Sequence, residues 1–355
     1  MIDSFKKSIS SLEISKLVRD ELLKKKNGFD INIIPIADGG EGTVEALTFN
    51  KKFIEKRFQV TGPYKDAVNS FYNIFDSTAY IEMCSASGFS ALESKILSPY
   101  FATSYGTGEL LKDAFLNKEV ESIVLGIGGS LTNDCGAGML QALGMKFSLK
   151  GKILGKDLGN IEFINEKDFL KGMRKKPITV LCDVDNPLLG ENGATMVYAK
   201  QKGATENQID KLEDGIKKFH KLTKNIIGKD LSEIPGTGAA GGMGYALLSF
   251  FDIKFVNGFD YMMNEFDLTE NIKKSDLIIT GEGKFDNQSF YGKPTGRIIS
   301  LAKKYNKKIV LICGQSEIIE NDICVYPISD IAIDMDDAML SPEKYIKKIV
   351  KGLKL

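Results

Sequence analysis

Apolar positions along this chain switch repeatedly between the period of a strand and that of a helix, and glycine-rich stretches mark several of the switches. Ser10 and Glu13 stand at capping-box spacing, and Ile14, Leu17, Val18 and Leu22 then recur on one helical face that closes near Asn27-Gly28. The run 31–36 predicts a strand feeding Ala37-Asp38-Gly39-Gly40-Glu41-Gly42-Thr43, after which Val44 and Leu47 predict another helix. Segments 67–75 and 78–83, parted only by Asp76-Ser77, alternate like the arms of a hairpin. Leu110, Leu111, Ala114 and Phe115 predict a helix, followed by a strand at 121–126, a glycine-rich loop and a helix around 136–143. Further strands are predicted at 178–182, 276–280, 309–313 and 323–328, with helices at 208–222, 239–251, 295–305 and 342–353. Strand, loop and helix in alternation make an α/β fold the economical reading.

Length and composition narrow the function. A chain of 355 residues has room for about two domains of ordinary size. Its 43% hydrophobic and 26% charged residues are those of a globular protein. Forty-seven basic residues balance forty-seven acidic ones, so no net field gathers nucleic acid or an anionic membrane. Cys84, Cys135, Cys182, Cys313 and Cys324 are scattered without CxxC spacing, which argues against a disulfide framework or a zinc site and for a reducing compartment. No stretch approaches the roughly 20 apolar residues of a membrane span, and no signal-peptide core stands at the N-terminus, so the cytoplasm is expected. The single histidine, His220, sits among lysines on a helical pattern and reads as a surface residue, which leaves acid–base chemistry to carboxylates.

Glycine-rich loops at strand ends carry the candidate chemistry, because the carboxyl ends of parallel strands are where such folds collect anions. Gly126-Ile127-Gly128-Gly129-Ser130-Leu131-Thr132-Asn133-Asp134 offers close backbone approach, two hydroxyls and a helix start to a phosphate or carboxylate, though the same residues also suit a capped turn. No GxxxxGK[ST] motif occurs. Asp38 can act as a general base or as a cap, with Glu41 beside it. Asp183 and Asp185 alternate after a strand and can share one face as hard oxygen ligands for Mg²⁺, or form Asx turns before Pro187. Glu282 and Asp286 can hold a metal while Lys293 neutralises a transferring phosphate. Gly236 to Gly241 matches GxGxxG and raises a nicotinamide-dependent oxidoreductase as a rival, but residues 231–235 do not read as the strand that motif needs.

Six stretches in order resemble the type 1 glycerate kinase family: Asp3-Ser4-Phe5-Lys6, Ala37 to Thr43, Gly126 to Asp134, Cys182 to Pro187, Gly238 to Gly244, and Thr280-Gly281-Glu282-Gly283. The resemblance covers nearly the whole chain. It implies two α/β domains: residues 1–130 with 270–355 as a discontinuous Rossmann-like or flavodoxin-like domain with a mainly parallel sheet, and 131–269 as an inserted mixed α/β domain, with the active site in the cleft between them. It also implies transfer of the γ-phosphoryl group of ATP to D-glycerate with Mg²⁺, giving 2- or 3-phosphoglycerate and ADP. With the reading of the loops beside it, the expected catalytic positions are Asp38, Asp183, Lys6 and Lys293, with Asp38 or Asp183 taking the hydroxyl proton and Lys6 or Lys293 offsetting phosphate charge. Substrate and nucleotide fall to Asp3, Ser4, Gly39, Gly40, Gly128, Gly129, Ser130, Thr132, Asn133, Asp134, Gly281 and Gly283, and the metal to Asp185, Glu282 and Asp286. Only Met1 and Ile2 precede Asp3, where the family usually carries a short apolar strand, so a partly unpaired sheet neighbour is expected there. Glycerate and ATP are the expected partners, a homodimer is compatible with the sequence, and neither nucleic acid nor membrane is expected. A non-catalytic sugar-acid-binding protein of the same fold is the remaining alternative.

Overall fold

The computed structural model describes residues 1–5, 8–25, 28–91, 97–318, 320 and 322–354. Lys6, expected to meet phosphate, lies outside the described residues, as does Asn27. The chain falls into two compact units: Met1–Ala37, Glu45–Phe49 and Phe259–Leu355 make the first, Asp38–Val44 and Asn50–Gly258 the second. Both are α/β, and parallel pairing predominates.

The second unit is built on β1 (Ile54–Thr61), β2 (Ala67–Phe75), β3 (Thr78–Glu82), β4 (Ser122–Gly126), β7 (Ile178–Leu181) and β8 (Ile253–Val256), in the order β1-β2-β3-β4-β7-β8. A separate short pair, β5 (Lys146–Phe147) with β6 (Ile164–Asn165), is antiparallel. The expected hairpin is β2 and β3, registered Phe75 against Thr78. Its turn residues Asp76 and Ser77 both take positive φ, 47° and 57°, the type I′ geometry whose twist matches the flanking strands. From β3 onward the neighbours are parallel, so the carboxyl ends of β4 and β7 lie side by side. This sheet draws strands from both sides of residue 130, so its compact unit runs across the boundary expected there. Leu110, Leu111 and Phe115 of helix Tyr105–Leu116 pack with Ile123, Leu125, Val180, Phe219 and Leu247 in its core.

In the first unit β9 (Leu277–Phe285), β10 (Lys308–Ser316) and β11 (Cys324–Pro327) form a parallel sheet in the order β11-β10-β9. Alternation along β10 sends Val310 and Ile312 to one core, with Ile14, Val18 and Leu22 of helix Ser11–Lys25 and Ile346 and Val350 of helix Pro342–Gly352. Ile309, Leu311 and Cys313 go to the other core, with Ile298 and Ile299 of helix Pro294–Lys304. Each such fully buried aliphatic side chain contributes about 1.5–3 kcal/mol, so both faces of the sheet need their helices. The capping box of the first helix is formed, with Ser10 N donating to Glu13 Oε2 at 3.0 Å and Glu13 N to Ser10 Oγ at 3.3 Å.

Two predicted strands come out differently. Residues 31–36 form no strand: Pro35 has no N–H to give a ladder, and the Ile36 N–H donates to the Ser11 hydroxyl at 2.8 Å. Strand β9, expected to stop at 280, continues to Phe285 and takes the supposed loop glycines with it. Gly281 permits this by lying close against β10, where a Cβ would stand 1.8 Å from Ile312 O. At the N-terminus Ile2 makes a single parallel bridge to Gly281, and Asp3 N donates to Gly281 O at 2.9 Å.

Candidate active site

The carboxyl ends of β4 and β7 open onto a cavity of about 230 Å³ in the second unit, lined among others by Asp38, Gly128, Gly129, Ser130, Asp183, Tyr198, Gln201 and Lys202. Two glycine loops make one wall by backbone-to-backbone packing. Gly128 N donates to Gly39 O at 3.0 Å, and a Cβ on Gly128 would meet Gly40 N at 2.9 Å. Asp38 is exposed, and its Oδ1 accepts the Gly40 N–H at 3.0 Å, which fixes the carboxylate relative to that wall. Asp183 is exposed too, and its Oδ1 accepts from Gly258 N at 2.6 Å. The ladder of β7 ends at Leu181, and of the two expected metal ligands after it Asp183 lines the cavity whereas Asp185 is not among the lining residues.

The Ser130 loop divides its residues between cavity and interior. Gly128, Gly129 and Ser130 line the cavity, whereas Thr132, Asn133 and Asp134 are completely buried outside that lining. Asp134 accepts from Ser104 N and Ser104 Oγ at 2.7 Å and from Gly136 N and Gly138 N at 3.2 Å. It therefore occupies the anion position at the start of helix Ala137–Ala142, where a ligand phosphate was expected. Burial raises its carboxyl pKa, against which all four hydrogen bonds work. Asn133 Nδ2 donates to Thr195 Oγ1 at 3.0 Å.

Lys202 and Tyr198 also line this cavity, and neither belongs to a motif that marks a site in the sequence. Lys202 Nζ donates to Ser130 Oγ at 3.0 Å and to Thr132 O at 2.8 Å. Burial pushes its ammonium down to about 7, with the Asp134 charge opposing. His220 is not a surface residue: its ring stands 2.9 Å from Tyr245 Oη and 3.5 Å from Asp230, away from the cavity lining, and burial lowers its pKa.

In the first unit Glu282, Asp286 and Lys293 gather at the end of β9. Glu282 is buried, its Oε2 lies 3.6 Å from Lys293 Nζ, and its Oε1 has no hydrogen-bond partner among the described residues. Burial raises its pKa, while Ser289 and Lys293 oppose the rise. Asp286 caps the short turn Asn287–Phe290 by accepting from Gln288 N at 2.9 Å, and its Oδ2 lies 3.6 Å from Lys284. Gly283 belongs to β9, and Ser4 N donates to Asp3 Oδ1 at 2.7 Å. Asp185 belongs to the other unit, and no group of three or more metal-competent side chains occurs among the described residues.

Set beside known proteins, residues 1–354 match the model of the glycerate kinase family. The chain is 35% identical to a glycerate kinase of Halalkalibacterium halodurans, over 99% of this chain and 95% of that protein. It is 38% identical to glycerate 2-kinase of Escherichia coli, over 88% and 83%. The chain belongs to the glycerate kinase family. A crystal structure described as a putative glycerate kinase 2 from Salmonella typhimurium superposes with a TM-score of 0.78 at 34% identity, covering 98% of this chain and 96% of that one. Family membership supports a kinase and not an oxidoreductase. The geometry agrees, because turns and not a strand precede Gly236. Cβ atoms on Gly238 and Gly241 would lie 2.1 Å from Pro187 O and Thr132 O, so these two glycines serve close packing. Among the described residues no helix is long and apolar enough to cross a membrane.

Proposed function

We propose that this protein is a cytoplasmic glycerate kinase that moves the γ-phosphoryl group of ATP to a hydroxyl of D-glycerate, giving 2- or 3-phosphoglycerate and ADP. The observation that carries this reading is the composition of the cavity: a buried ammonium, a serine hydroxyl and two exposed carboxylates on one small concave surface at the carboxyl ends of parallel strands. A small hydroxy acid needs one cation for its carboxylate and one base for its hydroxyl, and both are there.

Asp38, held by Gly40, takes the hydroxyl proton as the oxygen attacks the γ-phosphorus; the bond from that phosphorus to the bridging oxygen breaks, and ADP leaves. Asp183, fixed by Gly258, is the second carboxylate able to take that proton. Lys293, at the start of helix Pro294–Lys304, offsets phosphate charge. Buried Glu282, whose Oε1 has no hydrogen-bond partner among the described residues, would with Asp286 hold Mg²⁺, a cation that suits one or two carboxylates. Magnesium, when bound, supplies neutralisation of phosphate charge. Coupled ADP release tests the proposal. It is expected only with D-glycerate, ATP and magnesium together, with NMR of the product identifying the esterified hydroxyl. Absence of ADP release with all three present overturns it.

A further inference from the structure

Lys202 is 5% exposed, yet among the described residues its ammonium has no carboxylate within ion-pair distance. A buried charge needs a counter-charge or gives up its proton. Two of its three N–H donors go to Ser130 Oγ and Thr132 O, and among the described residues nothing takes the third. Because Ser130 Oγ accepts from Lys202, its own O–H is left to donate. Backbone geometry pins the lysine: Lys202 N donates to Tyr198 O at 3.2 Å, and at Gly203, φ +93°, a Cβ would stand 2.3 Å from Leu97 O.

We propose that Lys202, with Ser130, is the subsite for the carboxylate of the acid substrate, and so the residue that selects an acid over a neutral polyol. The inference rests on the glycerate kinase reading. Two observations favour a carboxylate over a nucleotide triphosphate. The cavity, about 230 Å³, has the scale of a three-carbon acid and falls below the roughly 300–1,000 Å³ of pockets for drug-sized ligands. Among the described residues of the lining the one cation, Lys202, stands with Asp38 and Asp183, a net negative balance that repels a multiply charged triphosphate more strongly than a single carboxylate seated on the lysine. The two oxygens of a carboxylate take one donor each from Lys202 and Ser130.

The test is steady-state kinetics of wild type, Lys202→Met and Ser130→Ala with D-glycerate and with its uncharged amide, glyceramide. Lys202→Met is expected to raise KM for D-glycerate on the order of 30- to 100-fold and Ser130→Ala about 10-fold, the range for losing charge-assisted hydrogen bonds. KM for ATP should stay within about threefold, and the preference for D-glycerate over glyceramide should collapse in Lys202→Met. A raised KM for ATP with an unchanged KM for D-glycerate overturns the assignment, as does an undiminished preference. Wild type that turns over D-glycerate beside a Lys202→Met variant of equal KM sinks this inference alone; wild type that never uses D-glycerate sinks the functional reading with it.

Should the variant not fold, calorimetry on wild type decides. D-glycerate binding at about pH 8 in buffers of different ionisation enthalpy should take up most of one proton, because the carboxylate restores charge to a lysine that burial holds near 7. Asp38, Asp183, Cys182 and Tyr198 face the same cavity, with Asp134 behind the loop. Burial pushes the Cys182 thiol up to about 11 and raises the Tyr198 phenol, so both already hold their protons at about pH 8 and neither can account for the uptake. Binding without proton uptake refutes the assignment.

Discussion

Replacing Lys202 by methionine is expected to stabilise the substrate-free protein at neutral pH and to destabilise it in strong base. In the unfolded chain the lysine has its ordinary pKa of 10.5, and burial lowers it to about 7 in the fold. Between those values the unfolded state binds more protons, so wild-type stability rises with pH from about 7 to 10.5 and is flat below. At about 1.4 kcal/mol per pH unit, keeping this ammonium in the folded interior costs about 4–5 kcal/mol at neutral pH and below. Methionine removes that cost but strands the Thr132 carbonyl and the Ser130 hydroxyl, both buried. Their loss of a partner costs about 1–3 kcal/mol. The variant should therefore gain about 1–4 kcal/mol at about pH 7 and fall behind wild type between about pH 8 and about pH 10. Urea unfolding at intervals from about pH 6 to about pH 10, read as midpoint and slope, measures both arms. A difference that does not change with pH, or a variant weaker already at neutral pH, would refute the view that this lysine is held at a cost to stability.

Other positions give equally direct outcomes. Asp38→Asn should lower kcat by about 100- to 10,000-fold, the usual contribution of a positioned base, with little change in KM for ATP; retention of kcat in both Asp38→Asn and Asp183→Asn rules out the base assignment. Asp134→Ala deprives four donors of their acceptor and should cost about 3 kcal/mol or more, seen as a drop in Tm even without substrate; a Tm equal to wild type contradicts a purely interior role. Gly281→Ala puts a Cβ 1.8 Å from Ile312 O and should destabilise by about 3 kcal/mol or more by forcing β9 from β10, which thermal unfolding would show. Glu282→Gln should raise the magnesium concentration needed for half-maximal activity by about 10-fold or more; an unchanged magnesium titration places the metal elsewhere.

Features decided by neighbouring residues were legible in the sequence. The capping box at Ser10 and Glu13, the tight turn at Asp76-Ser77 and the helix periods all follow from contacts a few residues apart. The glycine loops were legible for a related reason, since a missing side chain is visible in the sequence before its neighbour is known. What those glycines approach was not. Only the folded chain sets Gly128 against Gly40, extends β9 through Gly281, and hands the Ile36 N–H to Ser11 instead of to a ladder. Asp134 read as a ligand and is an interior cap. Lys202, two residues from Lys200 in a polar turn, belongs to none of the sequence motifs and lies buried behind Ser130. The sequence by itself determined the order and type of most elements and which loops carry chemically competent groups, because backbone preference and periodicity are local. Tertiary structure alone decided which of those groups face the cavity, because desolvation and hydrogen-bond partners come from residues far along the chain.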